Sequence, residues 1–310
     1  MLMDNLLVII GPTAVGKSKL GVEIARKHYG EIISGDSMQV YKECNIGTAK
    51  VSIDEMQGIP HHLIDVIDPR EDFSVARFKE MVPPIISDIH KRGKLPCLVG
   101  GTGLYVQSLI DDYGFTDVQR SDIYRGELEL VMQEKGERVL FEMLQVQDPE
   151  SAIKIHPNDT KRIMRALEVY HLTDGKKLSS LAHKKESPYN LLYIGLNMER
   201  SKLYQIINQR VDIMIQKGLV EEVRFLLNNG ISETSNAMQG IGYKEIIPYI
   251  KGEIGLEECV ETLKMNTRRF AKRQLTWFRR DPRIQWFHVD EMDWSTIVEK
   301  IDVLIAGKFN

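Results

Sequence analysis

The sequence predicts an α/β fold, a mostly parallel sheet flanked by helices and interrupted by a small all-helical insertion. Three observations carry this reading. Short apolar runs that end in glycine or turn residues alternate with helix-like segments through the first third of the chain. Strand-like runs then vanish between residues 115 and 187, where charged segments with helical periodicity take over. An apolar run at residues 191–196 (LLYIGL) restores the strand pattern. Alternating strands and helices favour a parallel sheet, because each crossover helix returns the chain to the same edge.

Each element follows in order. Residues 6–10 are continuously apolar and rich in β-branched side chains, as in a strand buried on both faces. Residues 17–28 have helical composition, and the Ile32-Ile33 pair closes a second strand before Ser34-Gly35-Asp36. Residues 63–67 (LIDVI) form a third candidate strand. Residues 73–92 repeat apolar side chains at helical spacing, and Pro83-Pro84 is expected to kink or divide that helix. Residues 95–99 form a further buried strand before Gly100-Gly101. The insertion carries helices over 126–135, 137–145 and 159–172. After the sheet resumes, residues 203–228 form one long amphipathic helix, and residues 256–280 form a second, basic one. Residues 286–289 supply a short last strand, and 294–306 a closing helix. The resulting domains are 1–114 and 188–310, two parts of one core, with 115–187 as the insertion.

Composition excludes several classes. The 310 residues are 43% hydrophobic and 27% charged, too apolar for a disordered chain. A net charge of −3 does not announce a nucleic-acid partner, so any such partner must be met by local patches. Three distant cysteines, Cys44, Cys97 and Cys259, have no CxxC spacing; a reducing compartment fits them better than a disulfide framework or zinc site. No apolar run is long enough for a signal segment or membrane span. The expectation is a cytoplasmic protein, monomeric by default, with no membrane partner.

Residues 11–18 carry the most local chemistry. Gly11, Pro12, Thr13, Ala14, Val15, Gly16, Lys17 and Ser18 read GxxxxGKS between a strand and a helix. This makes the sheet P-loop NTPase-like. The two glycines permit backbone shapes that aim successive N–H groups at phosphate oxygens. Lys17 adds a positive charge, and the Ser18 hydroxyl is a ligand for Mg²⁺. The motif specifies a diphosphate or triphosphate without specifying ATP, although most chains with this loop hydrolyse or transfer from a nucleotide. Asp36 follows the second strand, at the sheet edge where ligands bind. It can serve as a metal or substrate ligand, as a general base, or simply as a turn or helix-capping aspartate.

A family then comes into view. Besides GPTAVGKS, residues 34–41 (SGDSMQVY), 45–50 (NIGTAK), 60–69 (PHHLIDVIDP) and 99–105 (VGGTGLY) resemble the bacterial tRNA dimethylallyltransferases. So do 155–169 (IHPNDTKRIMRALEV), 239–245 (QGIGYKE) and 267–281 (TRRFAKRQLTWFRRD). The resemblance implies that the phosphate loop grips dimethylallyl diphosphate, with Lys17, Arg210 and Ser18-bound Mg²⁺ neutralising the departing diphosphate. It implies that the acceptor is the exocyclic amine of an adenine beside the anticodon of tRNA. Asp36 would take the amine proton, and Thr102 would hydrogen-bond near the base. Ser37, Met38 and Gln39 would line the pocket of an adenine extruded from its stack. Gln239, within the QGIGYKE block, is implied as a further tRNA contact.

Basic segments add to this. Residues 264–280 hold Lys264, Arg268, Arg269, Lys272, Arg273, Arg279 and Arg280 and no acidic residue. Ala271, Leu275 and Phe278 make an apolar stripe, leaving Arg268 with Lys272, and separately Arg269 with Arg273, on the exposed flanks. Solvated helices ordinarily mix charge signs, so this run points to a nucleic acid. Lys161, Arg162 and Arg165 form a second cluster, diluted by Glu168. The adjacent His61 and His62 lack a third nearby ligand and read as structural. The main rival function is a small-molecule or nucleotide kinase on the same fold; a non-catalytic RNA-binding module is opposed by the intact Lys17-Ser18 pair and Asp36.

Overall fold

The computed structural model describes residues 3–111, 121–136, 138–181 and 186–309. The chain divides into two compact units, Met1–Ile110 with Ser187–Asn310, and Asp111–Glu186. The expected joint at Phe115 lies outside the described residues.

The larger unit begins with β1 (Asn5–Ile10), α1 (Lys17–Lys27) and β2 (Gly30–Ser34). The short helix α2 (Ile53–Met56), strand β3 (His61–His62) and helix α3 (Val75–Lys91) follow, then β4 (Leu95–Gly100) and α4 (Gly103–Ile110). The smaller unit is helical: α5 (Asp122–Lys135), α6 (Arg138–Gln147), α7 (Pro149–Lys154), α8 (Thr160–Leu172) and α9 (Leu178–Leu181). The chain then returns as β5 (Asn190–Asn197), α10 (Arg200–Gln216), α11 (Leu219–Asn228), α12 (Ile247–Ile250), α13 (Leu256–Phe278), β6 (Gln285–His288) and α14 (Trp294–Phe309).

The strands form one sheet in the order β3-β2-β4-β1-β5-β6, all pairs parallel. β1 lies between β4 and β5, and Leu6–Ile10 are wholly buried, which explains their unbroken apolar run. Two apolar layers cover the faces. One gathers Leu6, Val8 and Ile10 with α3, α4 and α11 side chains; the other gathers Leu7 and Ile9 with α1 and α14 side chains. The alternation follows the pleat, since successive strand residues face opposite sides. The helical unit has its own core around Leu128, Leu140, Leu144, Ile163 and Leu167.

Three expectations are corrected. The third strand is His61–His62, paired to Ile32 and Ile33, not residues 63–67. Leu63 and Asp65 sit at φ of 62° and 54°, left-handed conformations that no strand tolerates. Residues 203–228 are two helices, because Gly218 at φ 96° ends one and starts the next. Finally, α3 runs unbroken through Pro83-Pro84. Phe78, Val82, Ile86 and Ile89 keep one buried face across the pair, and that burial outweighs the lost backbone hydrogen bonds.

The adjacent histidines are structural. His62 Nε2 meets Glu31 Oε2 at 2.8 Å, and His61 Nδ1 meets the Ile59 carbonyl at 2.8 Å. Glu31 is buried, and Arg92 foremost, with Lys94 and His62, holds its carboxyl below the usual carboxylate range. Cys44, Cys97 and Cys259 are buried free thiols. Among the described residues no helix is long and apolar enough to cross a membrane.

Candidate active site

The C-terminal ends of β1, β2 and β4 bring three loops together, and close backbone approach dictates their glycines. A Cβ on Gly11 would lie 2.5 Å from the Leu196 carbonyl oxygen, and one on Gly100 would lie 2.3 Å from that of Gly35. Neither approach leaves room for a side chain. In the phosphate loop, Ala14 takes φ 69° and Gly16 takes φ 100°. Gly16 is the N-cap of α1 and makes no side-chain cap, so the first-turn N–H groups remain open to an anion.

A cleft of about 790 Å³ opens over these loops, lined by Thr13, Gly16, Lys17, Ser18, Asp36, Gln39 and Arg210 among others. Lys17 Nζ donates to the Pro12 carbonyl at 2.7 Å. Burial pushes its pKa down to about 8, against the pull of Asp36 and with the push of Arg210. Arg210 reaches the loop from α10, with Nη1 3.4 Å from Thr13 Oγ1. Burial also lowers its pKa, opposed by Asp36. Lys17, Lys19, Arg26 and Arg210 thus line one cleft with Asp36, Glu23 and Glu55, and the open helix N-terminus adds to the four cations. At the phosphate loop itself that arrangement suits a polyanion.

Of the three roles expected of Asp36, its contacts show the turn-closing one. Its Oδ1 accepts from Met38 N at 2.8 Å and Gln39 N at 3.3 Å, which closes the turn that a capping aspartate makes. Its Oδ2 keeps no hydrogen bond among the described residues, so one oxygen is left for a proton or an ion. Thr102 Oγ1 accepts from Ser37 N at 3.1 Å and lies 3.4 Å from Ser37 Oγ, tying the β4 turn to the β2 turn. Gln39 lines the cleft with its Nε2 engaged, donating to the Thr48 and Ala49 carbonyls at 3.4 and 3.3 Å. Met38 packs beneath Gly240, where a Cβ would meet its Cε at 2.3 Å.

The cleft also has an apolar wall. Ile206 and Ile213 from α10, Val51 and Phe270 line it. Ile206 and Ile213 are 38% and 47% exposed, so both present apolar surface to the cleft.

A family profile described as IPP transferase matches residues 39–281, more than half of the chain. The chain belongs to the IPP transferase family. A second profile, described as Isopentenyl transferase, matches residues 4–67. The tRNA dimethylallyltransferase of Carboxydothermus hydrogenoformans is 54% identical, over 96% of this chain and 96% of that one. The crystal structure of the full-length tRNA isopentenylpyrophosphate transferase from Bacillus halodurans is similar at TM-score 0.75 and 48% identity, covering 98% of this chain and 96% of that chain. A eukaryotic dimethylallyltransferase acting on tRNA is similar at TM-score 0.80 and 32% identity, covering 99% of this chain and 79% of that chain. The P-loop NTPase-like sheet read from GxxxxGKS is the fold of this family.

The basic residues divide into two groups. Arg269, Lys272, Arg273, Arg279 and Arg280 are exposed on or just after α13. Lys264 is instead paired with Asp212 at 2.8 Å and Glu261 at 3.0 Å, and Arg268 donates to Asn208 Oδ1 at 2.6 Å. Those two hold α13 against α10. In the helical unit, Lys161 and Arg162 are exposed, but Arg165 meets Glu168 at 2.6 Å. Glu168 is wholly buried, also accepting from Arg125 and from Ser121 N. It is therefore an internal anchor and not the solvated diluent that the sequence suggests. Gln239 is exposed, and its amide donates to the Glu233 carbonyl at 2.8 Å.

Two side chains escaped the sequence reading. Gln274 is buried in the apolar stripe of α13 between Ala271 and Phe278, and an amide at that position was the visible signal. Glu222 accepts from Asn45, Ile46 and Gly47 N–H groups at 3.0, 2.7 and 3.0 Å and from the Tyr243 hydroxyl at 2.7 Å. It anchors the loop that brings Thr48 and Ala49 to the cleft. Nothing local marks Glu222 among the glutamates of α11.

Proposed function

We propose that this chain transfers the dimethylallyl group of dimethylallyl diphosphate to the exocyclic N6 amine of an adenosine beside the anticodon of tRNA, releasing diphosphate. The observation that carries this reading is the cleft itself. A cationic phosphate cradle, a carboxylate with one unengaged oxygen and an apolar wall of isoleucine and phenylalanine adjoin one another. These suit the diphosphate, the amine proton and the five-carbon chain respectively.

In the reaction the adenine N6 forms a bond to the allylic carbon as the carbon–oxygen bond to the diphosphate breaks. The open N–H groups of α1, Lys17 and Arg210 stabilise the charge that collects on the leaving diphosphate. Asp36 Oδ2 accepts the amine proton, while Oδ1 stays committed to its turn. The Ser18 hydroxyl lies in the same cleft and, with diphosphate oxygens, would hold Mg²⁺, leaving Asp36 Oδ2 for the proton. When bound, that ion would add positive charge at the diphosphate. The exposed arginines of α13 supply phosphate contacts for tRNA, together with Lys161 and Arg162.

A small-molecule kinase shares the phosphate loop and the aspartate, but it leaves the one-sign face of α13 without a purpose. The test is transfer of radiolabel from dimethylallyl diphosphate to unmodified tRNA by the purified protein with Mg²⁺, followed by nucleoside analysis. The expected product is an N6-prenylated adenosine. Labelled tRNA with the prenyl group elsewhere, or no label where a known transferase works, overturns the proposal.

A further inference from the structure

Gln274 makes two hydrogen bonds that join distant parts of the cleft. Its Oε1 accepts from Thr13 N at 2.8 Å, and its Nε2 donates to the Gly101 carbonyl at 2.9 Å. The side chain is 5% exposed. One partner can only donate and the other can only accept, so the amide has one possible orientation.

Each partner leads to one half of the reaction. Thr13 is in the phosphate loop, and its hydroxyl meets Arg210. Gly101 precedes Thr102, whose hydroxyl holds Ser37 N beside Asp36. Local sterics fix the same contact. A Cβ on Gly101 would fall 2.2 Å from Gln274 Nε2, and one on Gly103 would fall 2.4 Å from Trp277 Cδ1. Gln274 and Trp277 lie one turn apart on α13, so both glycines of the Gly-Thr-Gly turn are shaped by that helix.

We propose that Gln274 is a positioning residue that holds the leaving-group side and the acceptor side of the cleft in register. The inference rests on the transfer reaction proposed above. It concerns alignment and not affinity: neither substrate need touch Gln274, yet the attacking nitrogen and the breaking bond depend on the two loops it joins. Misplacement by about 1 Å at a reacting centre costs on the order of 100-fold in rate.

The experiment compares wild type, Gln274→Met and Gln274→Glu. Single-turnover transfer is measured at saturating donor and tRNA, with donor and tRNA dissociation constants measured separately. Gln274→Met removes both bonds at similar volume. It should slow transfer by roughly 10- to 100-fold while each dissociation constant stays within about threefold. Gln274→Glu gives a sharper signature. Its carboxylate can still accept from Thr13 N but faces the Gly101 carbonyl without a proton to donate. Protonated, it reproduces both bonds. The ratio of the Gln274→Glu rate to the wild-type rate should therefore climb as pH falls from 8.5 to 6, by up to about tenfold per unit.

A flat or falling ratio overturns the proposal, as does a Gln274→Met enzyme of wild-type rate or one whose affinities fall in step with its rate. The ratio compares Gln274→Glu with wild type at each pH and does not involve Gln274→Met, so it stands if Gln274→Met fails to fold. Absence of transfer by wild type would instead sink the reaction itself.

Discussion

Replacing Lys17 by Met should abolish transfer and at the same time stabilise the ligand-free protein. The ammonium is held where burial lowers its pKa from 10.5 to about 8. That difference of about 2.5 units, at roughly 1.4 kcal/mol each, makes the charged form cost about 3 kcal/mol relative to the unfolded chain. The attraction of Asp36 and the repulsion of Arg210 are already within that figure. Methionine removes the charge at similar length but also the bond to the Pro12 carbonyl, worth about 1 kcal/mol. The net gain is about 2 kcal/mol, or a melting-temperature rise on the order of 4 °C. The pH dependence gives the sign. Because the folded-state pKa is depressed, the penalty is fully present below about pH 8 and is relieved as pH rises toward 10.5, where the unfolded lysine also loses its proton. Urea titrations of both proteins without diphosphate should show the variant ahead at pH 7 and the gap closing through this window. Added pyrophosphate with Mg²⁺ should stabilise wild type and leave the variant unmoved. A variant less stable than wild type at pH 7, or a gap independent of pH, would refute the reasoning.

Further outcomes follow from the same geometry. Donor affinity for free enzyme should fall as pH rises through about 8, because Lys17 then loses the charge that meets the diphosphate; affinity unchanged to pH 9.5 would remove Lys17 from that role. Arg269→Ala with Arg273→Ala should weaken tRNA binding and reduce the slope of log affinity against log salt by about 1.5, one lost phosphate contact per arginine. An unaltered slope would assign both to structure. Gly103→Ala should destabilise the protein by about 1–3 kcal/mol, since its Cβ would meet the Trp277 ring at 2.4 Å, and Trp277→Leu in the same chain should recover part of the loss in denaturant titrations. Glu31→Gln should cost about 2 kcal/mol at pH 7. The gap to wild type should shrink as pH falls through the acid range, because Glu31, held ionised by Arg92, Lys94 and His62, loses its contribution on protonation.

What was legible in the sequence was what is local. The strand at Leu6–Ile10 announces itself because both faces are buried, and the loop after it because phosphate binding demands glycine at fixed offsets. The position of Asp36 at a strand end was equally plain. The third strand is not legible, because two histidines pair with Ile32 and Ile33 through backbone alone, while the more apolar stretch beyond them turns at Leu63 and Asp65. The break at Gly218 was readable in principle, as a glycine followed by Glu221 and Glu222 in a first turn. Side-chain commitments were not legible. Whether Arg165 faces solvent or Glu168, and whether Lys264 faces RNA or Asp212, depends on partners that periodicity does not place. The Gln274 contacts span 261 and 173 positions, so only the oddity of an amide on an apolar stripe hinted at them.

The most direct test of the central claim is the single-turnover rate of Asp36→Asn with saturating dimethylallyl diphosphate and unmodified tRNA. Asparagine keeps the oxygen that caps Met38 and Gln39, so the turn survives and only the proton acceptor is lost. Transfer should slow by about 100- to 10,000-fold with tRNA affinity within about threefold of wild type. A rate equal to wild type would contradict the general-base role of Asp36 and leave it only the turn it closes.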